Sequence, residues 1–323
     1  MNANMTIPYD AAQGRKLRVL LSAFGVAWLI NAAFQASAWL AGGDAGASLV
    51  HALSKAASAV PGWIQPLLLA GVHGTQAIGA GIVAGVMVAI AALLGVALLI
   101  RRQVALAARV GIVYSLVCWV CLNGFGFPYG GGQTDPGVFM AYAIAFLFVL
   151  SVVPVLQSRG IDAAGPDPRT WQVARIAFGL LWLFDAALKW LPAFLLHFSS
   201  QITSVIPGQP HWVAAWLTFV AAVIHAIGPV IVAVVVALAE TAIAIGLLSG
   251  QWMRVVIPFG VLYSLAVWAT AEAFGGPYSG AGTGVRGDVL GNVLIYLVPF
   301  LFLWIDASRG GSKPAPLQTA QSG

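Results

Sequence analysis

Charged residues are scarce in this chain. Asp, Glu, Lys and Arg together make up 8% of its 323 residues, against about 25% in a typical soluble domain. Hydrophobic residues make up 60% of the chain, and its mean hydropathy is +0.91. This composition excludes a water-soluble globule and predicts a chain that crosses a membrane several times. The lipid bilayer is therefore its first predicted partner.

Cysteine is almost absent. The two cysteines, Cys118 and Cys121, form CWVC near the C-terminal end of a predicted helix. The negative end of the helix dipole disfavours a thiolate there, so we interpret both as small apolar core residues. The histidines do not predict a metal site either, because His197, His211 and His225 lack the mutual spacing of metal ligands.

Basic residues are few but unevenly distributed. They lie at the ends of apolar segments, so the net charge of +5 does not predict a nucleic-acid partner. If the N-terminus lies inside, twelve of the fifteen Lys and Arg residues fall on the inner side and three on the outer side. The positive-inside rule then predicts a multi-pass protein of the plasma (inner) membrane with both termini cytoplasmic.

The chain resembles itself. YSLVCWVCLNGFGFPYGGG, from Tyr114, matches YSLAVWATAEAFGGPYSGA, from Tyr263, at a shift of 149 residues. GVAWLINAAFQ, from Gly25, matches GLLWLFDAALK, from Gly179, at a shift of 154 residues. Self-similarity at one long period indicates a repeat architecture, here a tandem duplication.

The hydrophobic pattern predicts an all-α fold: a polytopic membrane protein with eight transmembrane helices as two parallel four-helix repeats. Two Trp- and Pro-containing segments, 58–76 and 210–228, are predicted to be interfacial or re-entrant. The predicted spans lie near residues 18–40, 77–100, 104–123, 137–157, 175–197, 229–250, 254–274 and 288–306. The predicted units are a first repeat (17–157), a cytoplasmic linker (158–174), a second repeat (175–306) and a disordered tail (307–323).

Three charged residues interrupt apolar segments of the second half. Asp185, Lys189 and Glu240 lie among Val, Ile, Leu, Ala and Trp, where an ionisable group is costly and marks a functional site by default. Asp185 and Lys189 are four residues apart and share one helix face. We take these three as the candidate catalytic residues. The candidate ligand-binding residues are His225, Trp182, Trp268, Glu272 and Tyr278.

The two halves differ in charge at matched positions. Four ionisable residues of the second half match neutral amides of the first half, and a fifth matches alanine. One interpretation is a proton, ion or ligand site confined to the second half. The other is two diverged copies whose polar contacts only specify the fold. The matched pairs are Asp185 and Asn31, Lys189 and Gln35, His225 and Gln76, Glu272 and Asn123, and Glu240 and Ala91.

The second half resembles the DoxX-like superfamily of four-helix membrane proteins, which includes the DoxD subunit of thiosulfate:quinone oxidoreductase and the MauE-like proteins. The resemblance lies in RIAFGLLWLFDAALKW and AETAIAIGLLSG, with Arg175, Gly179, Lys189 and Glu240 as its marked positions. It implies a membrane component associated with quinone-linked electron transfer, with a quinone as cofactor and soluble or membrane oxidoreductase subunits as partners. The chain departs from the family in being doubled and in lacking the Lys and Glu in its first half.

Two other functions remain open from the sequence. Charges near the middle of the membrane and a repeated architecture are typical of transporters, so a permease for a small solute or a proton-coupled substrate is one alternative. A non-catalytic membrane scaffold subunit is the other. The sequence leaves undecided whether the chain is an enzyme.

Overall fold

The computed structural model describes residues 11–40, 44–126, 135–158, 165–275 and 290–308. These residues form helices and turns, with no strand among them. The α-helices are α1 (Ala11–Leu40), α2 (Ala45–Ala59), α3 (Gln65–Ile78), α4 (Ala80–Ile100), α5 (Val104–Asn123), α6 (Val138–Ser151), α7 (Val153–Gln157), α8 (Pro168–Lys189), α9 (Pro192–Leu196), α10 (Phe198–Thr203), α11 (His211–Ile227), α12 (Pro229–Ser249), α13 (Met253–Ala269) and α14 (Asn292–Ala307). The prediction of an all-α chain is confirmed for this part of the sequence.

Five helical segments are long and apolar enough to cross a membrane. They are Ala11–Ser37, Ala80–Ile100, Val104–Gly126, Pro168–Lys189 and Pro229–Ser249, and each overlaps one of the eight predicted spans. The other three predicted spans coincide with the shorter apolar helices α6, α13 and α14, which have 14, 17 and 16 residues. The chain is thus a helical membrane protein in which several segments can cross the bilayer.

Proline and glycine determine where several helices end. Pro154 lies in the first turn of α7, directly after α6, and Pro192 opens α9 shortly after α8 ends. Proline lacks the N–H that would continue a helix and clashes with the preceding turn. Gly79 (φ 102°) separates α3 from α4, and Gly228 (φ 109°) separates α11 from α12. These φ values are open to glycine and strained for other residues, so both breaks are encoded by the sequence.

The predicted boundaries of the span at 175–197 are wrong. Helix α8 begins at Pro168, because Asp167 caps it by accepting the backbone N–H of Thr170 at 2.9 Å. Hydrogen bonds from Thr170 hold the pKa of Asp167 below its usual value. The first turns of α8 therefore occupy part of the predicted linker, 158–174. At its other end, Lys189 falls in the last helical turn, where the helix dipole stabilises a cation.

The two segments predicted as interfacial or re-entrant are mostly helical. Residues 58–76 take in the end of α2 and most of α3, and residues 210–228 coincide with α11. Helix α11 exposes apolar side chains, among them Trp212, Trp216 and Phe219. Exposed faces of this kind are suited to contact with lipid.

The two halves pack in matching ways and meet along their last helices. Within the first half α1 packs on α4 and α5 on α6, while in the second half α8 packs on α12 and α13 on α14. Helix α6 also packs against α14 and α8, and the stacked rings of Phe148 and Phe302, 5.7 Å apart, lie in this contact. Each half has a buried aromatic cluster: Phe24, Trp28, Tyr142 and Phe146 in the first, and Phe178, Trp182, Tyr296 and Phe300 in the second.

Candidate functional site

A cavity of about 310 Å³ lies in the second half, lined by α8, α9, α10, α12, α13 and the start of α14. Five of the predicted site residues line it: the ionisable residues Asp185, Lys189, Glu240 and Glu272, and Trp182 with its indole ring. Asp135, which precedes α6 in the first half, also reaches the wall. The ionisable and aromatic residues that line the cavity are Asp135, Trp182, Asp185, Lys189, Phe194, Phe198, Glu240, Tyr263, Glu272 and Tyr296.

Lys189 and Glu240 form an ion pair in the wall of this cavity. Lys189 Nζ lies 3.3 Å from Glu240 Oε2, and the two side chains are only 11% and 5% exposed. The Tyr263 hydroxyl donates a hydrogen bond of 2.7 Å to Glu240 Oε1. The ring of Phe194 lies 5.4 Å from Lys189 Nζ, within the range of a cation–π contact. A charged pair removed from water needs such additional partners to offset its desolvation.

Asp185 lies one helical turn before Lys189 on α8 and is buried. The Tyr296 hydroxyl lies beside it, but neither that hydroxyl nor Asp185 Oδ1 has a hydrogen-bond partner of normal geometry among the described residues. Both residues line the cavity. Polar atoms in the wall of a cavity can be satisfied by water or by a ligand that enters it.

A second group of polar residues connects the two halves at the start of α14. Glu272 accepts the backbone N–H groups of Asn292, at 2.9 Å, and Val293, at 3.1 Å. The Asn292 side chain donates a hydrogen bond of 3.1 Å to Asp135, which also accepts the N–H of Gly137. Carboxylates at the N-terminus of a helix compensate its unpaired N–H groups and its dipole. Glu272 and Asp135 thus position α14, on which Tyr296 lies.

The remaining predicted site residues lie elsewhere. Trp268 is half-buried, and its indole N–H donates to Leu290 O at 2.9 Å, so it joins the end of α13 to the residues before α14 and does not line the cavity. His225 is exposed on α11 and is not among the lining residues. Tyr278 lies outside the described residues.

The matched region of the first half is neutral and nearly closed. Asn31 donates from its amide to the Tyr142 hydroxyl, and Ala91 is fully buried where the second half has Glu240. The cavity beside Gln35 measures about 20 Å³, room for about one water molecule. The larger, charged cavity therefore belongs to the second half.

Sequence reasoning missed Tyr263, Tyr296 and Asp135 as site residues. Tyr263 matches Tyr114 and Tyr296 matches Tyr142 in the two halves. This match indicates that both tyrosines belong to the repeat, but it does not indicate which side chains they contact. Asp135 lies in the first half, and only the packing of the two halves brings it to the cavity.

The Cys118 thiol is buried and the Cys121 side chain is half-buried, both on α5 and away from the cavity. Among the residues that the structure describes, no group of three or more His, Cys, Asp or Glu side chains is placed to hold a metal ion.

The carboxyl, ammonium and hydroxyl groups that line the cavity are suited to hydrogen bonding and proton exchange.

A comparison with protein-family models matches residues 85–103 to the PGF-CTERM motif. This segment is most of α4 together with the basic residues that follow it, far less than half of the chain. An apolar helix followed by arginines is consistent with membrane association. Searches of curated proteins and of solved structures found no match.

Proposed function

We propose that the chain is a DoxX-like integral membrane component that binds a quinone headgroup in the second-half cavity, as part of quinone-linked electron transfer. The observation that carries the proposal is the buried Lys189–Glu240 pair, which lines a cavity of about 310 Å³ together with the hydroxyls of Tyr263 and Tyr296. The resemblance to the DoxX-like superfamily at Lys189 and Glu240 supports it. On this proposal, oxidoreductase subunits that supply or accept electrons are the partners.

The cavity offers the groups that a quinone headgroup requires. A quinone is a flat apolar ring with carbonyl oxygens that accept hydrogen bonds. Lys189 and Tyr296 can donate to those oxygens, and Trp182, Phe194 and Phe198 provide apolar surface for the ring. A volume of about 300 Å³ is at the lower end of the range for small-molecule sites. The carboxylates of Asp185 and Glu240 can exchange the protons that accompany quinone chemistry.

Titration of the purified protein with decylubiquinone, followed by tryptophan fluorescence, tests this function. We expect saturable quenching, because Trp182 lines the cavity. Glu240→Gln and Asp185→Asn are expected to weaken binding about tenfold or more, since each replaces a buried carboxyl group in the wall. Gln35→Ala, at the position that matches Lys189, is the control and should bind like the wild type. Quenching that does not saturate and is equal in all variants would reflect partition into detergent and would contradict the proposal.

A second candidate is the transport of a small solute, with or without a coupled proton. The specific observation in its favour is the pair of interrupted helices, α3–α4 at Gly79 and α11–α12 at Gly228, whose φ angles differ by only a few degrees. Interrupted helices in corresponding positions of two halves are a feature of secondary transporters. Solute uptake into proteoliposomes separates the candidates: ligand binding without flux supports the first, flux supports the second, and neither supports a scaffold.

The proposed architecture is eight spans in two parallel repeats, related by a pseudo-twofold axis along the membrane normal. Matching contacts support it. Trp119 donates to Pro136 O and Trp268 to Leu290 O, both at 2.9 Å, and the first of these pairs maps onto the second at the shifts found in the sequence. Helix α6 of the first half packs on α8, and α14 of the second half packs on α1. The packing of each last helix on the other half's first helix is expected if the two units are equivalent.

We also propose that both termini are cytoplasmic, on the basis of the distribution of basic residues. Single cysteines at Gly165 and Gly280, in a variant without Cys118 and Cys121, test this orientation in intact cells with a membrane-impermeant thiol reagent. The cysteine at position 280 should react with the reagent in intact cells. The cysteine at position 165 should react only after the membrane has been permeabilised. The reverse pattern would overturn the orientation.

A further inference from the structure

A second cavity, of about 280 Å³, lies between the beginning of α13 and the end of α14. The charged cavity of the second half lies at the other end of the same two helices, beside Glu272 and Asn292, so the two cavities are separate. We call the second cavity the Arg254 groove, because Arg254 carries the one charge among the described residues that line it. The other lining residues are Met253, Ile257, Pro258, Trp304, Ala307 and Ser308.

The Arg254 groove opens on an apolar surface at a helix end. Arg254 lies in the first turn of α13 and is exposed, and Trp304 lies in the last turn of α14 and is 46% exposed. Val255 and Leu301, on the same two helices, are also exposed. Exposed apolar side chains on the helices of a membrane protein are suited to contact with lipid chains. A basic residue and a tryptophan at the end of such helices are typical of the level of the lipid headgroups.

Two hydrogen-bond donors in the groove are available to a ligand. In the part of the chain that the structure describes, neither the Arg254 guanidinium nor the Trp304 indole N–H forms a hydrogen bond or an ion pair with another residue. The guanidinium presents its donors in a fork that matches the oxygens of a phosphate group. Ile257 and Ala307 provide apolar surface beside these donors. The groove therefore suits a molecule with a phosphate at one end and a hydrocarbon chain.

The first half lacks this combination of residues. At the shift of 149 residues Arg254 matches Ala105, and at the shift of 154 residues Trp304 matches Leu150. Arg109, one helical turn after Ala105, is an exposed arginine of α5. It provides a positive charge in the corresponding region of the first half without the matching tryptophan. The groove is thus another feature that distinguishes the second half from the first.

We propose that the Arg254 groove binds an anionic phospholipid. Arg254 and Trp304 hold its phosphate, and Ile257 and Ala307 contact the beginning of an acyl chain. Basic pockets between membrane helices bind lipid headgroups in this way. No carboxylate is found among the described residues that line the groove, so nothing there balances the ammonium group of a zwitterionic lipid. Charge complementarity therefore favours a lipid with a net negative charge. This site is independent of the proposed quinone site.

Native mass spectrometry of the delipidated full-length protein, titrated with phosphatidylglycerol or phosphatidylcholine of the same acyl chains, tests the proposal. The wild type should bind the first phosphatidylglycerol at least about fivefold more tightly than phosphatidylcholine, the preference that one basic side chain gives for an anionic lipid. Arg254→Gln should bring the two affinities within about twofold. Arg254→Lys keeps the charge and should retain a preference for phosphatidylglycerol. Arg109→Gln is the matched control and should bind like the wild type.

Several results would overturn the proposal. The first is equal affinity for the two lipids in the wild type, and the second is a preference that persists in Arg254→Gln. Equal loss of the preference in Arg109→Gln is the third, because it would show a general effect of positive charge. A further measurement distinguishes a lipid from free phosphate: phosphatidylglycerol should raise the Tm of the delipidated protein, and inorganic phosphate should not raise it above a chloride control of equal ionic strength. An equal rise with both would assign the groove to free phosphate and would overturn the lipid site.

Discussion

Lys189→Met should destabilise the protein more than the double variant Lys189→Met/Glu240→Gln. The single change leaves Glu240 buried in the wall of the cavity with Tyr263 as its remaining described hydrogen-bond partner. Removing one member of a buried pair costs about 3–5 kcal/mol, whereas removing both charges is often close to neutral. The free energy of unfolding can be measured by titration with SDS in mixed micelles. We expect the double variant to recover most of the loss.

The first half offers the matched control for this experiment. Gln35 occupies the position of Lys189, is buried, and has a side-chain oxygen without a hydrogen-bond partner in the described structure. Gln35→Met replaces that group by an apolar one of similar size and should change the free energy of unfolding by less than about 1 kcal/mol. If Lys189→Met were equally mild, the Lys189–Glu240 contact would be an exposed or hydrated pair, and the description of the site would be wrong.

Gly260→Ala should be destabilising and should also weaken the ligand site. A methyl group at Gly260 would lie 2.1 Å from Cζ of Phe300, a ring that is fully buried and packed 4.8 Å from Phe178 and 5.8 Å from Trp182. Forcing extra volume into such a core costs about 1–3 kcal/mol. Because Trp182 lines the cavity, displacement of Phe300 should also raise the dissociation constant for the quinone.

Two further variants identify the cause. Gly260→Ala/Phe300→Leu should recover part of the stability, since the shorter side chain leaves room for the new methyl group. Gly81→Ala in α4 is the control, because no atom outside its own turn lies within 4 Å of the position of the added carbon. Alanine is favoured over glycine in a helix by roughly 0.5–1 kcal/mol, so this variant should be neutral or slightly stabilising. A loss of stability in Gly81→Ala equal to that in Gly260→Ala would show that the clash with Phe300 is not the cause.

The charged centre of the site could be predicted from the sequence because charge is rare in this chain. Asp185, Lys189 and Glu240 lie among apolar neighbours, and the cost of an ionisable group in a membrane marks all three as candidates. The spacing on α8 correctly placed Asp185 and Lys189 on one face, since both line the cavity. The pairing of Lys189 with Glu240 could not be predicted, because it depends on how α8 packs against α12.

Other parts of the site depend on packing between segments far apart in the sequence. Asp135 enters the cavity only because the start of α14 lies against the first half. The sequence predicts His225 as a ligand-binding residue, but His225 is exposed on α11 and does not line the cavity. A single histidine carries no signal of the direction in which its side chain points. The ends of α8 differ from the predicted ones for a local reason: the cap at Asp167 and the proline at Pro192 outweigh the hydrophobic pattern.

The central claim is that the ligand site lies in the second half, between α8, α12 and α14. The most direct measurement is photo-cross-linking of the purified protein with an azido-quinone, followed by mass spectrometry of its peptides. The label is expected on peptides that contain Trp182, Tyr263 or Tyr296, and an excess of unlabelled decylubiquinone should suppress it. Suppressible label confined to the first half, around Trp28 and Tyr142, would contradict the account.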